Sequence, residues 1–294
     1  LLQDVDAMLD GADVVVVHEW NDPALIAGIG QCRAKDGRFI LMFHDTHHRS
    51  VSDPEAIQRL DLSGYDGVLA FGDALAEMYR RLGWGARVFT WHEAADTRLF
   101  RPPEQPVLRQ GAVFVGNWGD EERNHELQSF LLDPVSSLRL PLNVYGVRYP
   151  PSALAALERA GACYRGWLPN ALVPEVFAHH TFTVHVPRRF YTEQLPGIPT
   201  IRVFEALACG IPLICAPWLD CEALFRPGHD FLIAHSPTEM QDHMRALAAD
   251  GSLRRSLAIN GLERIRMRHT CAHRVDSLLG IIARVAGSEH KEAA

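Results

Sequence analysis

Short, unbroken apolar runs recur along almost the whole chain. Residues 14–18 read VVVVH, 39–44 FILMFH, 67–71 GVLAF, 112–116 AVFVG and 212–216 PLICA. None of them alternates apolar with polar. A strand that is apolar at nearly every position is buried on both faces, and that environment belongs to a parallel sheet covered by helices. The stretches between the runs carry helical patterns, which completes a βαβ rhythm. In the first part the rhythm predicts strands over 14–18, 39–44, 67–71 and 87–91, with helices over 23–35, 54–60 and 73–82. In the second it predicts strands over 112–116, 142–146, 163–166, 182–186, 212–216 and 231–234. Helices are expected there over 121–132, 152–160, 200–209, 220–225, 237–248, 252–268 and 272–285.

The rhythm breaks once. Residues 101–111, RPPEQPVLRQG, are rich in proline and polar groups and read as a linker. The expected class is α/β, with two Rossmann-like, doubly wound domains facing each other. They span 1–101 and 102–270, and a final helix over 271–294 returns to the N-terminal domain. A chain of 294 residues accommodates two domains. The opening strand is followed by no glycine-rich turn and the chain starts at Leu1, so the N-terminal domain is expected to lack one or two βα units.

A formal net charge of −7 argues against a general nucleic-acid-binding surface. No apolar run approaches the ~18 residues of a membrane span. The 6 cysteines form no CxxC pair and no signal peptide is visible, so reduced thiols in a cytoplasmic protein are expected. There is no P-loop, and Gly28-Ile29-Gly30 lies inside a helical pattern rather than after a strand, so it is no dinucleotide fingerprint.

The densest chemistry lies in residues 197–210, GIPTIRVFEALACG. Pro199 suits a first helical turn, and Gly210 with Pro212 marks the end. Ile201, Phe204, Leu207 and Ala208 form an apolar stripe, while Arg202 and Glu205, three apart, share another face. The turn at Gly197 and Ile198, followed by Thr200 and Ile201, lets backbone amides and the positive end of the helix dipole face an anion such as a diphosphate. Further along, the two oxygens of Glu205 suit the hydroxyls of a ribose. The plainer reading is a solvated ion pair on a helix surface.

Two other clusters follow strands, where open α/β sheets place their sites. His44-Asp45-Thr46-His47-His48-Arg49 has ligand types for a metal, but no further His or Cys stands at a convincing spacing, and no metal is assigned. His18-Glu19-Trp20-Asn21 follows the first strand in the same way. Residues 91–96, with His92 and Glu93, sit near the linker and read as cleft lining or hinge packing. In the acidic loop 120–123, Asp120 is a helix cap. The glutamates are expected to point away from any anion site.

The stretch RVFEALACGIPLICAPWLDCEALFRPGHDFLIAHSP resembles the donor-site core of GT-B glycosyltransferases of the retaining, glycogen-synthase-like type. It is most similar to the CgeB-like, spore-maturation-type branch. The resemblance implies that Glu205 binds the donor ribose, followed by Ala208, Gly210, Pro212, Leu213 and a later Glu222. Residues 226–234 resemble the family's glycine hairpin, with Asp230-Phe231 at its second glycine. Tyr164-Arg165-Gly166-Trp167-Leu168 is similar to the strand end where backbone groups read the nucleobase, here at Gly166 and Trp167. Residues 172–187 match a further family segment. Residues 114–119, FVGNWG, resemble the loop that passes the diphosphate, here at Gly116 and Asn117. One departure stands out: Gly197 occupies the position of the family's first glutamate, which contacts the sugar.

The resemblance implies transfer of a sugar from a nucleoside diphosphate sugar to an acceptor, with retention and without a metal or other cofactor. Fixed cations would stabilise the leaving diphosphate. Arg188 and Arg189, after the strand at 182–186, are the candidates, the alternative being an exposed loop pair. His44 would contact the transferred sugar, with His18, Glu19, His47 and His48 on the acceptor side. The rival expectations are a nucleotide-sugar epimerase, a non-catalytic nucleotide-sugar-binding module, and a metal-dependent hydrolase built on residues 44–48.

Overall fold

The computed structural model describes residues 5–119 and 121–292. Asp120, the expected helix cap, lies outside the described residues. The chain divides into two compact units, one made of residues 1–92 and 274–294, the other of residues 93–273.

The first unit holds a four-stranded sheet of β1 (Val14–His18), β2 (Ile40–Asp45), β3 (Gly67–Ala70) and β4 (Val88–Thr90), side by side in chain order. All three pairings are parallel, and His18 stands opposite His44. The crossover helix Pro23–Asp36 is capped by Asp22, whose carboxylate accepts from the Ala24 amide at 2.8 Å. Arg33 on that helix makes a bidentate pair with Asp66 at 3.0 Å, and Asp66 also accepts from the Leu41 amide at 2.7 Å. One ion pair thus ties the helix to the lead-in of β3 and to β2. The final helix, Cys271–Glu292, buries Ile281 and Val285 against Met42 of β2 and Leu69 of β3.

The second unit holds a six-stranded sheet of β5 (Ala112–Val115), β6 (Leu142–Tyr145), β7 (Cys163–Gly166), β8 (Phe182–His185), β9 (Leu213–Cys215) and β10 (Leu232–Ile233). Every pairing is parallel. The sheet is buried on both faces, and the pleat sorts its residues. Ala112, Phe114, Leu142, Val144, Phe182 and Val184 pack into one core, while Val113, Val115, Leu213 and Cys215 pack into the other. Helix Pro237–Ala249 covers the first face through Met240, Met244 and Leu247; helix Ile201–Ala208 covers the second through Val203, Phe204 and Leu207. Side chains on alternate sides of a strand explain why unbroken apolar runs were required.

Three local expectations are corrected. Residues 220–225 form a turn, not a helix. The Asp220 carboxylate accepts from the amides of Leu224 (3.0 Å) and Phe225 (2.7 Å), and Ala223 adopts φ 49°, which closes the turn before a helical ladder starts. The helix expected over 121–132 starts at Asn124, widens to π-type turns at Gln128–Leu132 and continues to Leu138. The proline-rich stretch 101–111 lies inside the second unit, where Arg109 donates to the Gly210 carbonyl at 3.1 Å and the Gln110 amide to His179. Proline and polar composition suits that extended crossing as well as it suits a linker.

Candidate functional site

The second sheet reverses direction of growth once. Counted from β5 as first, its order is third, second, first, fourth, fifth, sixth, so the reversal lies between β5 and β8. In open α/β sheets, ligands bind beyond the carboxyl ends of the strands at such a point. The ends of β5 and β8 run into residues 116–119 and 186–189.

The loops after β5 and β6 are locked together. The Gly116 carbonyl accepts from the Tyr149 hydroxyl at 2.8 Å, and the Asn117 side-chain oxygen accepts from the Val147 amide at 3.1 Å. Gly146 has φ 151°, and a Cβ there would lie 2.1 Å from the Gly116 oxygen, so only glycine permits this approach. Asn117 therefore shapes the loop with its oxygen. At the same spot lies a cation that the sequence reading passed over. The buried Arg123 guanidinium donates to the carbonyls of Val186 (2.6 Å), Trp118 (3.4 Å) and Asn117. Among the described residues no carboxylate pairs with it. Burial, helped by the nearby Arg188, pulls its pKa down to about 10, so it stays charged at neutral pH. Its signal was faint, one basic residue at the end of an acidic loop.

Arg188 and Arg189 are not a free surface pair. Arg188 meets the Glu122 carboxylate at 2.7 Å, both half-buried, and Arg189 donates to the carbonyls of Glu122 (3.0 Å) and Glu121 (2.5 Å). Glu122 turns toward Arg188. Two neighbouring guanidiniums, Arg123 and Arg188, attract a counter-charge, and Glu122 supplies it.

Helix Ile201–Ala208 opens after Gly197, whose φ is 89° and whose Cβ, if present, would lie 3.0 Å from the Cys221 Cβ. A glutamate at 197 would have to displace that turn. Ile198 is buried, so only its backbone is available to a ligand, and Ile201 is 36% exposed rather than part of the apolar stripe, which runs through Val203, Phe204 and Leu207. Arg202 and Glu205 share a face as expected, with 2.5 Å between Nη1 and Oε2, but they are no solvated pair: Glu205 is only 3% exposed. Its Oε1 accepts from Asn170 Nδ2 at 3.2 Å. Its Oε2 faces the Arg202 guanidinium. Burial raises the carboxyl pKa, and the adjacent Arg202 opposes the rise. Asn170, which no pattern in the sequence marked, comes from the segment after β7. In that segment Gly166 has open space over its Cα and Trp167 is 71% exposed.

The histidine cluster belongs to the first unit. His18 places Nδ1 2.6 Å from the buried carboxylate of Glu19 and Nε2 2.9 Å from the Thr46 hydroxyl. His44 packs its half-buried ring edge-on to His18 (5.2 Å) and against Trp91 (4.7 Å); burial, then His18, takes its pKa down to about 3, so it is neutral. His47 lies between the rings of Trp20 (4.7 Å) and His48 (3.9 Å). His48 is buried and bonded to the Ser52 hydroxyl at 3.0 Å. Buried Asp45 accepts from the Tyr79 hydroxyl at 2.8 Å and the His47 amide at 3.1 Å. No group of three metal-binding side chains is assembled among the described residues. The chain passes between the units at His92 and Glu93 and again at His273 and Arg274.

A six-stranded parallel sheet with this order, a buried carboxylate on the helix between β8 and β9 and cations at the strand ends make the second unit a doubly wound α/β unit. The glycosyl transferase-like family model matches residues 123–280, more than half of the chain, and the chain belongs to this family of glycosyltransferases. No curated protein matches it in sequence. Anabaena HepE in complex with UDP and glucose superposes with TM-score 0.72 at 13% identity, over 96% of this chain and 80% of that one. Sucrose-phosphate synthase from Thermosynechococcus elongatus gives 0.69 at 13% identity, over 98% and 77%. S. aureus TarM, in complex with fondaparinux, alpha-GlcNAc-glycerol and UDP, gives 0.67 at 10% identity, over 91% and 55%. These likenesses establish the GT-B fold with its two Rossmann-like sheets.

Proposed function

We propose that the chain transfers a sugar from a nucleoside diphosphate sugar to an acceptor, with retention at the anomeric carbon and without a metal, as a member of the CgeB-like branch. The observation that carries this reading is Glu205, a carboxylate only 3% exposed on the helix between β8 and β9, held by Arg202 and by Asn170 from the segment after β7. Burying a carboxylate is costly unless it is paired, and the lone pairs that Arg202 and Asn170 leave on Glu205 suit the hydroxyls of a ribose. The UDP bound to HepE and to TarM makes UDP the first probe.

In this reading Gly166 and Trp167 receive the base, and Gly116, Asn117, Gly197 and Ile198 pass the diphosphate through backbone atoms. Negative charge grows on the diphosphate as the glycosidic bond breaks. Arg123 opposes that charge through its field, and Arg188 exchanges Glu122 for the phosphate, with Arg189 bracing the loop. His44, neutral, hydrogen-bonds the transferred sugar, while His18, Glu19 and His47 form the acceptor side.

Glu205→Ala is expected to weaken nucleoside diphosphate binding by tenfold or more, about the value of hydrogen bonds to a charged group. Calorimetry with UDP and GDP measures it. A correctly melting variant with wild-type affinity sinks the assignment. The anomeric configuration of the product, read by NMR, tests retention.

A further inference from the structure

The start of helix Ile201–Ala208 is unusual in what its capping residue does. Thr200 occupies the N-cap position with extended backbone, φ −82° and ψ 158°, yet its hydroxyl makes no capping bond to the helix. A threonine there normally accepts from the second or third amide of the helix. Here the Val203 amide is taken by the Thr200 carbonyl at 3.0 Å. Among the described residues, the amides of Ile201 and Arg202 have no acceptor.

The Thr200 hydroxyl is held elsewhere. His185, the last residue of β8, places Nε2 2.9 Å from it. The other ring nitrogen, Nδ1, lies 3.3 Å from the Sγ of Cys215 at the end of β9. His185 and Cys215 are both buried, in the middle of the sheet's carboxyl edge. Burial raises the Cys215 thiol far above its ordinary value, so it keeps its proton, and burial takes His185 down to about 3, so the ring is neutral. A neutral imidazole has one donor and one acceptor nitrogen. The protonated thiol is assigned as donor to Nδ1, which makes Nδ1 the acceptor and Nε2 the donor. Nε2–H then occupies a lone pair of the Thr200 oxygen, and the hydroxyl proton is left to point away from the sheet, beside the two unused amides.

We propose that the Thr200 hydroxyl donates a hydrogen bond to the diphosphate of the bound nucleotide, and that His185, oriented by Cys215, is the positioning residue that turns it there. The inference rests on the donor reading above and adds a specific side chain to it. The buried pair holds the Thr200 oxygen in place and leaves its proton for a ligand.

The experiment compares the wild type, Thr200→Val and Thr200→Ser, each binding UDP, GDP and ADP and the matching nucleosides, by NMR titration, with thermal melting as the folding control. Thr200→Val is expected to weaken diphosphate binding about tenfold and leave nucleoside binding unchanged, because a single charge-assisted bond is lost. Thr200→Ser is expected to retain wild-type affinity. Equal losses for diphosphate and nucleoside would mark Thr200 as merely structural, and an unchanged diphosphate affinity would remove it from the site; either overturns the proposal while leaving the donor reading standing. A wild type that binds none of the diphosphates overturns both. Imidazole 15N shifts of His185 give a check that needs no variant: the Nε2–H tautomer is expected, and the Nδ1–H tautomer refutes the relay.

Discussion

Glu19 has the most distinctive electrostatics in the first unit. Burial raises its pKa to about 8, nearby Asp45 adds to the rise, and Arg49 and two backbone bonds oppose it. His18 contacts it directly. An acid whose folded pKa lies above its unfolded one binds more protons when folded, so stability falls as pH rises between the two values. Asp45, raised to about 6, acts in the same direction but finishes sooner, whereas His44 and His185, both lowered to about 3, act in the opposite direction and finish near 6.5. Of the groups with these values, Glu19 alone spans the window from pH 6.5 to 8. Wild-type stability is expected to decline across it by roughly 1–3 kcal/mol, below the full linkage value because water and relaxation soften buried charges. Glu19→Gln is expected to flatten the decline, as followed by denaturant titration at several pH values. Parallel slopes for both proteins would show that Glu19 is not the titrating group. At this scale the sequence marked residues by type and place but not by state. His18, Glu19 and Glu205 were visible as candidates after strands or on a helix face. That His48 turns inward to Ser52 and that Arg123 is buried among carbonyls depended on packing that spacing does not record.

At the scale of elements, the strands were the most legible, because full burial of a parallel sheet demands the same apolar run at each one. Turns were the least. The residues 220–225 have a helical composition, and what stops the helix is one Asp220 carboxylate taking two amides. The loops at the strand ends of the second unit depend on backbone proximity. The tightest is Gly146 against the Gly116 oxygen, with the Gly146 amide also donating to Gly166 at 2.8 Å. Gly146→Ala combines an unfavourable φ with a Cβ placed against backbone, so a loss of about 2–4 kcal/mol is expected, at the upper end of ordinary point substitutions. Because the strand beneath stays intact, hydrogen exchange is expected to rise in residues 116–119 and 146–150 first. A change confined to global stability, with those amides no faster than the rest, would show that the loops are not coupled in this way.

At the scale of the molecule, chain order and structural unit part company at the C-terminus. Residues 274–294 belong with residues 1–92, so the first unit closes only after the second has been traversed. The junction is specific: Trp91 Nε1 donates to the Arg274 carbonyl and Arg274 Nε to the His92 carbonyl, both at 2.8 Å. The apolar contact is Ile281 and Val285 on Met42 and Leu69, with Ile282, Phe89 and Trp91 at its margin. Leu41, Phe43, Val68, Leu75 and Tyr79 are buried within residues 1–92, and this helix covers the face that carries Met42 and Leu69. Ile281→Ala is expected to cost about 2–5 kcal/mol, the range for deleting a buried aliphatic side chain. The loss should fall on one unit. Exchange protection is expected to drop in residues 40–45 and 67–70 while the amides of β5, β6, β8 and β9 keep theirs, since the second sheet has its own cores on both faces. If both sheets lost protection together, the two units would form one cooperative block, and the division of the chain at residues 92 and 274 would have no thermodynamic counterpart.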